Sequence, residues 1–189
     1  MARDNFFNGH DINSIETKFR SLLFDLDNEN CQKLLKIIKY NSRTPLDEDD
    51  ITYEELLELM DPDGQNRRIF TSSRNNDVVD DARTEFRYWI GDARIESARN
   101  QYIGRVSVFM QVVTHDDIRE IKLDSENEAL PLHNRELTIY QLCNELLLGS
   151  QSGAYGLFVT DPSLGFQNVT FNNNTQWQGA FFGVSTQSG

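Results

Sequence analysis

Apolar positions recur every three or four residues through the first third of the chain and then switch to alternation. Ile15, Phe19, Leu22 and Leu23 fall on one helical face, with Asn13 or Ser14 as the expected cap. Cys31, Leu34, Leu35, Ile37 and Ile38 form a second stripe, and Asn41 and Pro45 are expected to stop that helix. Thr52-Tyr53-Glu54-Glu55 has the form of a capping box, in which the glutamate reaches back to the amide of the threonine. A third helix follows, with Leu56, Leu57 and Met60 as its apolar face and Asp61-Pro62-Asp63-Gly64 as its closing turn.

The period then becomes two. Phe86, Tyr88 and Ile90 alternate with Arg87 and Trp89, predicting a strand that Gly91-Asp92 ends. Residues 105–114 are apolar on both faces, as a central strand requires. Residues 116–128 read as an acidic connection, mobile or facing a partner. Leu137, Tyr140, Cys143 and Leu147, with Ile139, Leu142 and Leu146 beside them, make the strongest helix, and Gly149 is placed to cap it. Strands are expected again at residues 155–160, 169–171 and 176–184. The fold class is therefore α+β: N-terminal helices over residues 1–64, then a mainly antiparallel sheet crossed by one long helix over residues 65–189, as one compact unit.

The last strand carries the candidate contact residues. By period two, Trp177, Gly179, Phe181 and Gly183 share one face, and Ala180, Phe182 and Val184 the other. A strand apolar on both faces needs two covers, the chain's own helix and a neighbouring subunit. Trp177, Phe181, Phe182 and Val184, with Tyr155 from the strand expected at residues 155–160, are the expected subunit interface.

Charge sharpens this picture. The 189 residues carry 30 acidic and 18 basic side chains, a formal net charge of −12. Residues 1–64 hold fifteen acids and seven bases, whereas residues 146–189 hold a single charged side chain, Asp161. Such a field repels nucleic acid, because phosphate neutralisation needs clustered Lys and Arg. The charge-poor end suits contact with another protein surface; polar uncharged loops of a β-rich end are the plainer reading. No apolar run approaches membrane-spanning length, and the first residues lack a signal-peptide pattern. Cys31 and Cys143 are expected as free buried thiols in a reducing cytoplasm.

Organised chemistry is sparse. His115-Asp116-Asp117 at the end of the central strand could hold a divalent ion as part of a metal-assisted hydrolase, but His10 and His133 show no ligand spacing to it. The turn Asp61-Pro62-Asp63-Gly64 lacks calcium-loop spacing. The run Asp47-Glu48-Asp49-Asp50 is explained by the helix that follows it. Gly149-Ser150-Gln151-Ser152-Gly153 follows a helix rather than preceding one, the wrong order for a phosphate cradle. No catalytic residue, cofactor or metal site is expected.

The block Lys33-Leu34-Leu35-Lys36-Ile37-Ile38-Lys39-Tyr40-Asn41, then Arg67-Arg68-Ile69-Phe70, then the strand ending at His115, resembles neck and tail-completion proteins of tailed bacteriophages. The later helix, the glycine-rich turn at residues 149–153 and the final strands continue the likeness. A sheet crossed by one helix is similar to tail terminators, which form a ring at the top of the tail and join it to the head. The resemblance rests on the ordering of elements across most of residues 30–185 rather than on a motif. It implies a non-enzymatic virion structural protein, a tail terminator or head–tail connector, made in the host cytoplasm and placed in the tail or neck. It also implies a self-assembled ring, a hexamer or dodecamer, that touches other neck or tail proteins. DNA would only pass through the channel, and an acidic wall would not trap it. An acidic adaptor that binds one basic partner is the other alternative to the hydrolase.

Overall fold

The structure, a computed structural model, describes residues 9–72, 81–95, 104–124, 131–152, 156–160, 162–170 and 176–187. Its helices are α1 (Gly9–Leu23), α2 (Glu29–Lys39), α3 (Tyr53–Met60) and α4 (Arg135–Leu147). Its strands are β1 (Ile69–Phe70), β2 (Thr84–Ile95), β3 (Gly104–His115), β4 (Glu120–Ile121), β5 (His133–Asn134), β6 (Phe158–Thr160), β7 (Gln167–Thr170) and β8 (Trp177–Gln187). The main sheet runs β1-β2-β3-β8-β6, and β7 pairs β8 farther along the same edge that β6 occupies. All its pairings are antiparallel except that of β1 with β2. The α+β expectation stands, with the two-stranded β4–β5 ribbon as an addition.

Period two decides what the sheet buries. Registers Val108↔Val184, Met110↔Phe182 and Val112↔Ala180 put these six side chains on one face with Phe86, Tyr88 and Phe158, and all are buried. The helices cover that face, and one core cluster runs from Ile15 in α1 to Val184 in β8. Phe19 lies 5.1 Å from the Tyr88 ring, and Tyr140 of α4 meets Phe182 edge-on at 5.1 Å.

Each helix end has a physical cause. Asn28 caps α2, its side chain accepting the amides of Asn30 and Cys31, and all five residues of the expected stripe are buried. Thr52 and Glu55 close the capping box of α3 in both directions. Gly149 follows α4 at φ +78°, and its amide donates to Phe158 O at 2.9 Å. The C-terminal carbonyls of α2 are held by arginine. Arg135, fully buried, donates to Ile37 O (2.6 Å), Tyr40 O (2.7 Å), Ser42 O (2.8 Å) and Ile118 O (2.8 Å). Its positive charge sits where the helix dipole is negative, and burial pushes its pKa down to about 10, so it remains protonated at neutral pH.

Four expectations change. The first helix starts at Gly9, so Asn13 and Ser14 are interior residues and its apolar face, not a cap there, positions it. In α3 the buried side chains are Leu56 and Leu59, while Leu57 is exposed, because a step of 100° per residue turns it away from them. Gly91-Asp92 does not end β2; the strand bulges between Ile90 and Asp92 and continues to Ile95. A Cβ on Gly91 would stand 1.9 Å from the Phe109 ring, so glycine is what lets that ring cross the strand. Finally, the acidic connection is built in at its start. Asp116–Ile118 forms a single turn, Ile118 and Ile121 are buried, and Arg119 pairs with buried Glu136 at 3.1 Å. Glu126 and Glu128 lie outside the described residues.

Candidate assembly surface

With the helices on one side, the other face of the sheet is defined by the alternate residues of β2, β3 and β8. Trp89 sits opposite Phe109, and Gln111 opposite Phe181, in the pairings of β3 with its two neighbours. The three aromatic rings form a half-buried triangle, with centroids 5.9 Å (Trp89–Phe109), 6.0 Å (Trp89–Phe181) and 5.4 Å (Phe109–Phe181) apart. Gly183, beside Phe109, has Leu164 of the Pro162–Leu164 turn against it, and a Cβ there would meet Val108 O at 2.7 Å. On β6, Val159 is 46% exposed, and neighbouring Leu157 is 51% exposed.

Toward β1 the same face carries a buried ion-pair cluster. Glu85 is buried between Arg83 and Arg87, each bonded to a different carboxylate oxygen. Arg67 lies over the Phe70 ring at 4.5 Å and Arg87 at 5.9 Å. Both guanidiniums are themselves largely buried, so these pairs are internal to the chain.

The interface residues named from the sequence divide. Trp177 and Phe181 lie on this outer face and are half-buried. Phe182 and Val184 are corrected: both are fully buried in the core of their own chain, Phe182 under Tyr140, so a partner has nothing of them to cover. The error was one of side, since a strand apolar on both faces has its helix-covered face chosen by packing rather than by hydrophobicity. Tyr155 lies outside the described residues. Trp89 and Phe109 were missed as surface residues. The alternation of Trp89 with Tyr88 was the available sign, whereas the Gly91 contact that seats Phe109 has none.

His115, Asp116 and Asp117 do other work. The His115 ring is buried against Trp177, 5.4 Å away edge-on, and its Nδ1 accepts the Asp117 amide at 3.3 Å, capping the turn that follows. Asp117 Oδ2 lies 3.4 Å from the same nitrogen, and Asp116 Oδ1 accepts from Gln178 Nε2 at 3.3 Å. Among the described residues no group of three or more His, Cys, Asp or Glu stands together to hold a metal ion. Cys31 and Cys143 are free and buried, and burial pushes both thiols up in pKa. A cavity of about 250 Å³ between α2 and α3 is lined by Lys39, Tyr40, Glu55, Glu58, Asn66 and Arg68. Its charges are largely answered within the chain. Lys39 bonds Glu55, holding that carboxyl below its ordinary range, and Arg68 donates to Asn41 Oδ1 at 2.8 Å. No described helix is long and apolar enough to cross a membrane.

A family model described as YomW matches residues 32–180. The chain belongs to the YomW family, a phage-derived family of the SPbeta-like prophage type. No curated protein and no solved structure matches it.

Proposed function

We propose that this YomW family member is a virion structural protein of a tailed bacteriophage that assembles as a ring in the neck, as a tail terminator or head–tail connector joining head to tail. The observation that carries the reading is the half-buried aromatic triangle on the sheet face opposite the four α-helices, in a chain of phage descent. Contiguous half-exposed aromatic surface on a folded domain marks a contact with another protein. The charge-poor end of the chain supplies β8 and β6 to this face, where copies that each carry −12 meet with little repulsion. The remaining acidic surface would face the channel and let DNA pass without binding.

The test is the size of the purified protein by native mass spectrometry, followed by electron microscopy of whatever assembly forms. A closed ring, a large multiple of 21.8 kDa, is expected. A monomer at every concentration, absent also from purified virions, defeats the proposal.

A further inference from the structure

The third helix buries Leu56 and Leu59 and turns a second apolar pair outward. Tyr53 and Leu57, one turn apart, are 61% and 50% exposed. Single exposed apolar side chains are ordinary, but two stacked along one helix face make a contiguous patch. Acids frame it. The stretch from Leu46 to Gly64 contains nine acidic side chains and no basic one. Only Asp50 and Glu55 of these form ion pairs among the described residues, with Lys36 and Lys39. Glu54 and Glu58 are exposed, and at 100° per residue they fall with Tyr53 and Leu57 inside about 140° of the helix surface. They also stand four residues apart, a like-charge spacing that disfavours the helix and that an outside cation relieves.

The chain does not hold the counter-charge in reserve. Lys33, Lys36, Lys39, Arg83, Arg87 and Arg119 are bonded to its own carboxylates, and Arg135 is buried on backbone carbonyls. A second copy, at −12, brings more acid than base. Nucleic acid and anionic membrane carry the wrong sign. A protein segment that combines Lys or Arg with apolar side chains matches both the patch and its frame.

We infer that the Tyr53/Leu57 face of α3 docks a basic amphipathic segment of a different protein. The apolar side chains of that segment rest on Tyr53 and Leu57, and its Lys or Arg side chains meet Glu54 and Glu58. The apolar contact supplies most of the affinity, while the acids steer the approach and select the partner. This contact uses no residue of the aromatic sheet face, so it holds for a ring and for a monomer alike.

The probe is a synthetic fluorescent peptide with Leu along one helical face and Lys on the rest, titrated by anisotropy at physiological ionic strength. Two companion peptides carry Glu in place of Lys, or Ser in place of Leu. The Lys/Leu peptide should bind, and each companion about tenfold or more weaker. Tyr53→Ser/Leu57→Ser should weaken the Lys/Leu peptide about tenfold. Glu54→Gln/Glu58→Gln should weaken it comparably and flatten its dependence on salt. Asp117→Asn/Glu120→Gln, the same loss of charge at exposed sites beyond the end of β3, should leave binding unchanged. Far-UV circular dichroism checks each fold, and the Glu54/Glu58 variant decides alone should the Tyr53/Leu57 variant unfold. The inference is overturned if the wild type ignores the Lys/Leu peptide, or if the α3 variants bind it as the wild type does. Equal losses in the Asp117/Glu120 variant, or equal binding of the Ser-substituted peptide, would reduce the effect to net charge and overturn it too. None of these outcomes alters the size measurement that tests the ring.

Discussion

Residues 1–64 carry fifteen acids and seven bases; residues 146–189 carry one charged side chain, Asp161. The first region keeps its shape with polar devices: the Asn28 cap, the Thr52/Glu55 box, the Lys36–Asp50 pair, and the Arg135 guanidinium on the carbonyls that end α2. The second relies on strand pairing and ring packing, with Phe158, Phe182 and Val184 buried and Phe181 half-buried. Polar devices tolerate a charged exterior, so the helical end can display acid to solvent or to a partner. A strand layer nearly without charges is held by backbone pairing and the burial of apolar area, so apolar surface left half-buried on it suits a contact with another chain. Side-chain volume should therefore dominate stability at one end, and hydrogen-bond partners at the other.

The largest effect expected is at the strand end, and it comes from two adjacent residues on opposite faces. Phe182→Ala should cost about 3–5 kcal/mol in urea unfolding, the usual loss for a large side chain deleted from a core. Phe181→Ala, on the outer face, should cost the isolated chain about 1 kcal/mol or less and act chiefly on assembly. Equal losses would mean that both faces are packed alike within one chain.

At the helical end, Arg135→Met should cost about 3 kcal/mol. The methionine fills much of the space but leaves four carbonyl acceptors without their donor. Because those acceptors are neutral and the group is buried, the loss should be nearly the same in low and high salt. A loss that vanishes in high salt would identify the role as surface electrostatics instead.

How far these roles could be read beforehand depends on how local they are. The α2 stripe, the α3 capping box and the central position of β3 each rest on residues close in sequence, and the periodicity or motif exposes them. The Arg135 clamp joins α4 to carbonyls at Ile37, Tyr40 and Ser42, far away along the chain, and nothing in the neighbourhood of Arg135 announces it. Gly91 reads as a strand end from its own properties, and only the Phe109 ring, brought over it by the β2–β3 pairing, turns it into a bulge. At the candidate surface, alternation separates Phe181 from Phe182 but carries no label for the side that the helices take. Opposite placement was legible; which face remained outside was not. His115 shows the same limit, since a histidine at a strand end fits ligand or cap equally until the Asp117 amide is seen on its Nδ1.

A smaller effect is expected at the third helix. Thr52→Ala removes the hydroxyl that accepts the Glu55 amide at 3.3 Å and should cost about 1 kcal/mol. Assembly at room temperature should persist while the melting temperature falls by a few degrees. A loss of several kcal/mol would show that the cap holds more than its own helix.

The smallest effect is at the junction of the two regions, where Tyr88 of β2 meets Phe19 of α1 at 5.1 Å and Phe24 at 6.2 Å. Its hydroxyl is buried with no hydrogen-bond partner among the described residues, and burial pushes its pKa up to about 12 from the ordinary 10.0. An unpaired buried hydroxyl contributes nothing to offset its lost hydration, so Tyr88→Phe should unfold within about 1 kcal/mol of wild type at neutral pH, on the stable side. The sign of the pH dependence follows from which state holds the proton. Below pH 10 both folded and unfolded chains keep it. Between about 10 and 12 the unfolded chain releases it while the folded chain retains it, so the Tyr88 contribution lowers stability as pH rises through that window. Tyr88→Phe lacks this loss, and its margin over wild type should widen in urea midpoints measured from about pH 9 to pH 11. The remaining tyrosines titrate alike in both proteins and cancel in the difference. A margin that stays constant with pH would place the Tyr88 hydroxyl in contact with water or a donor, and would loosen the seam between the helical and strand ends.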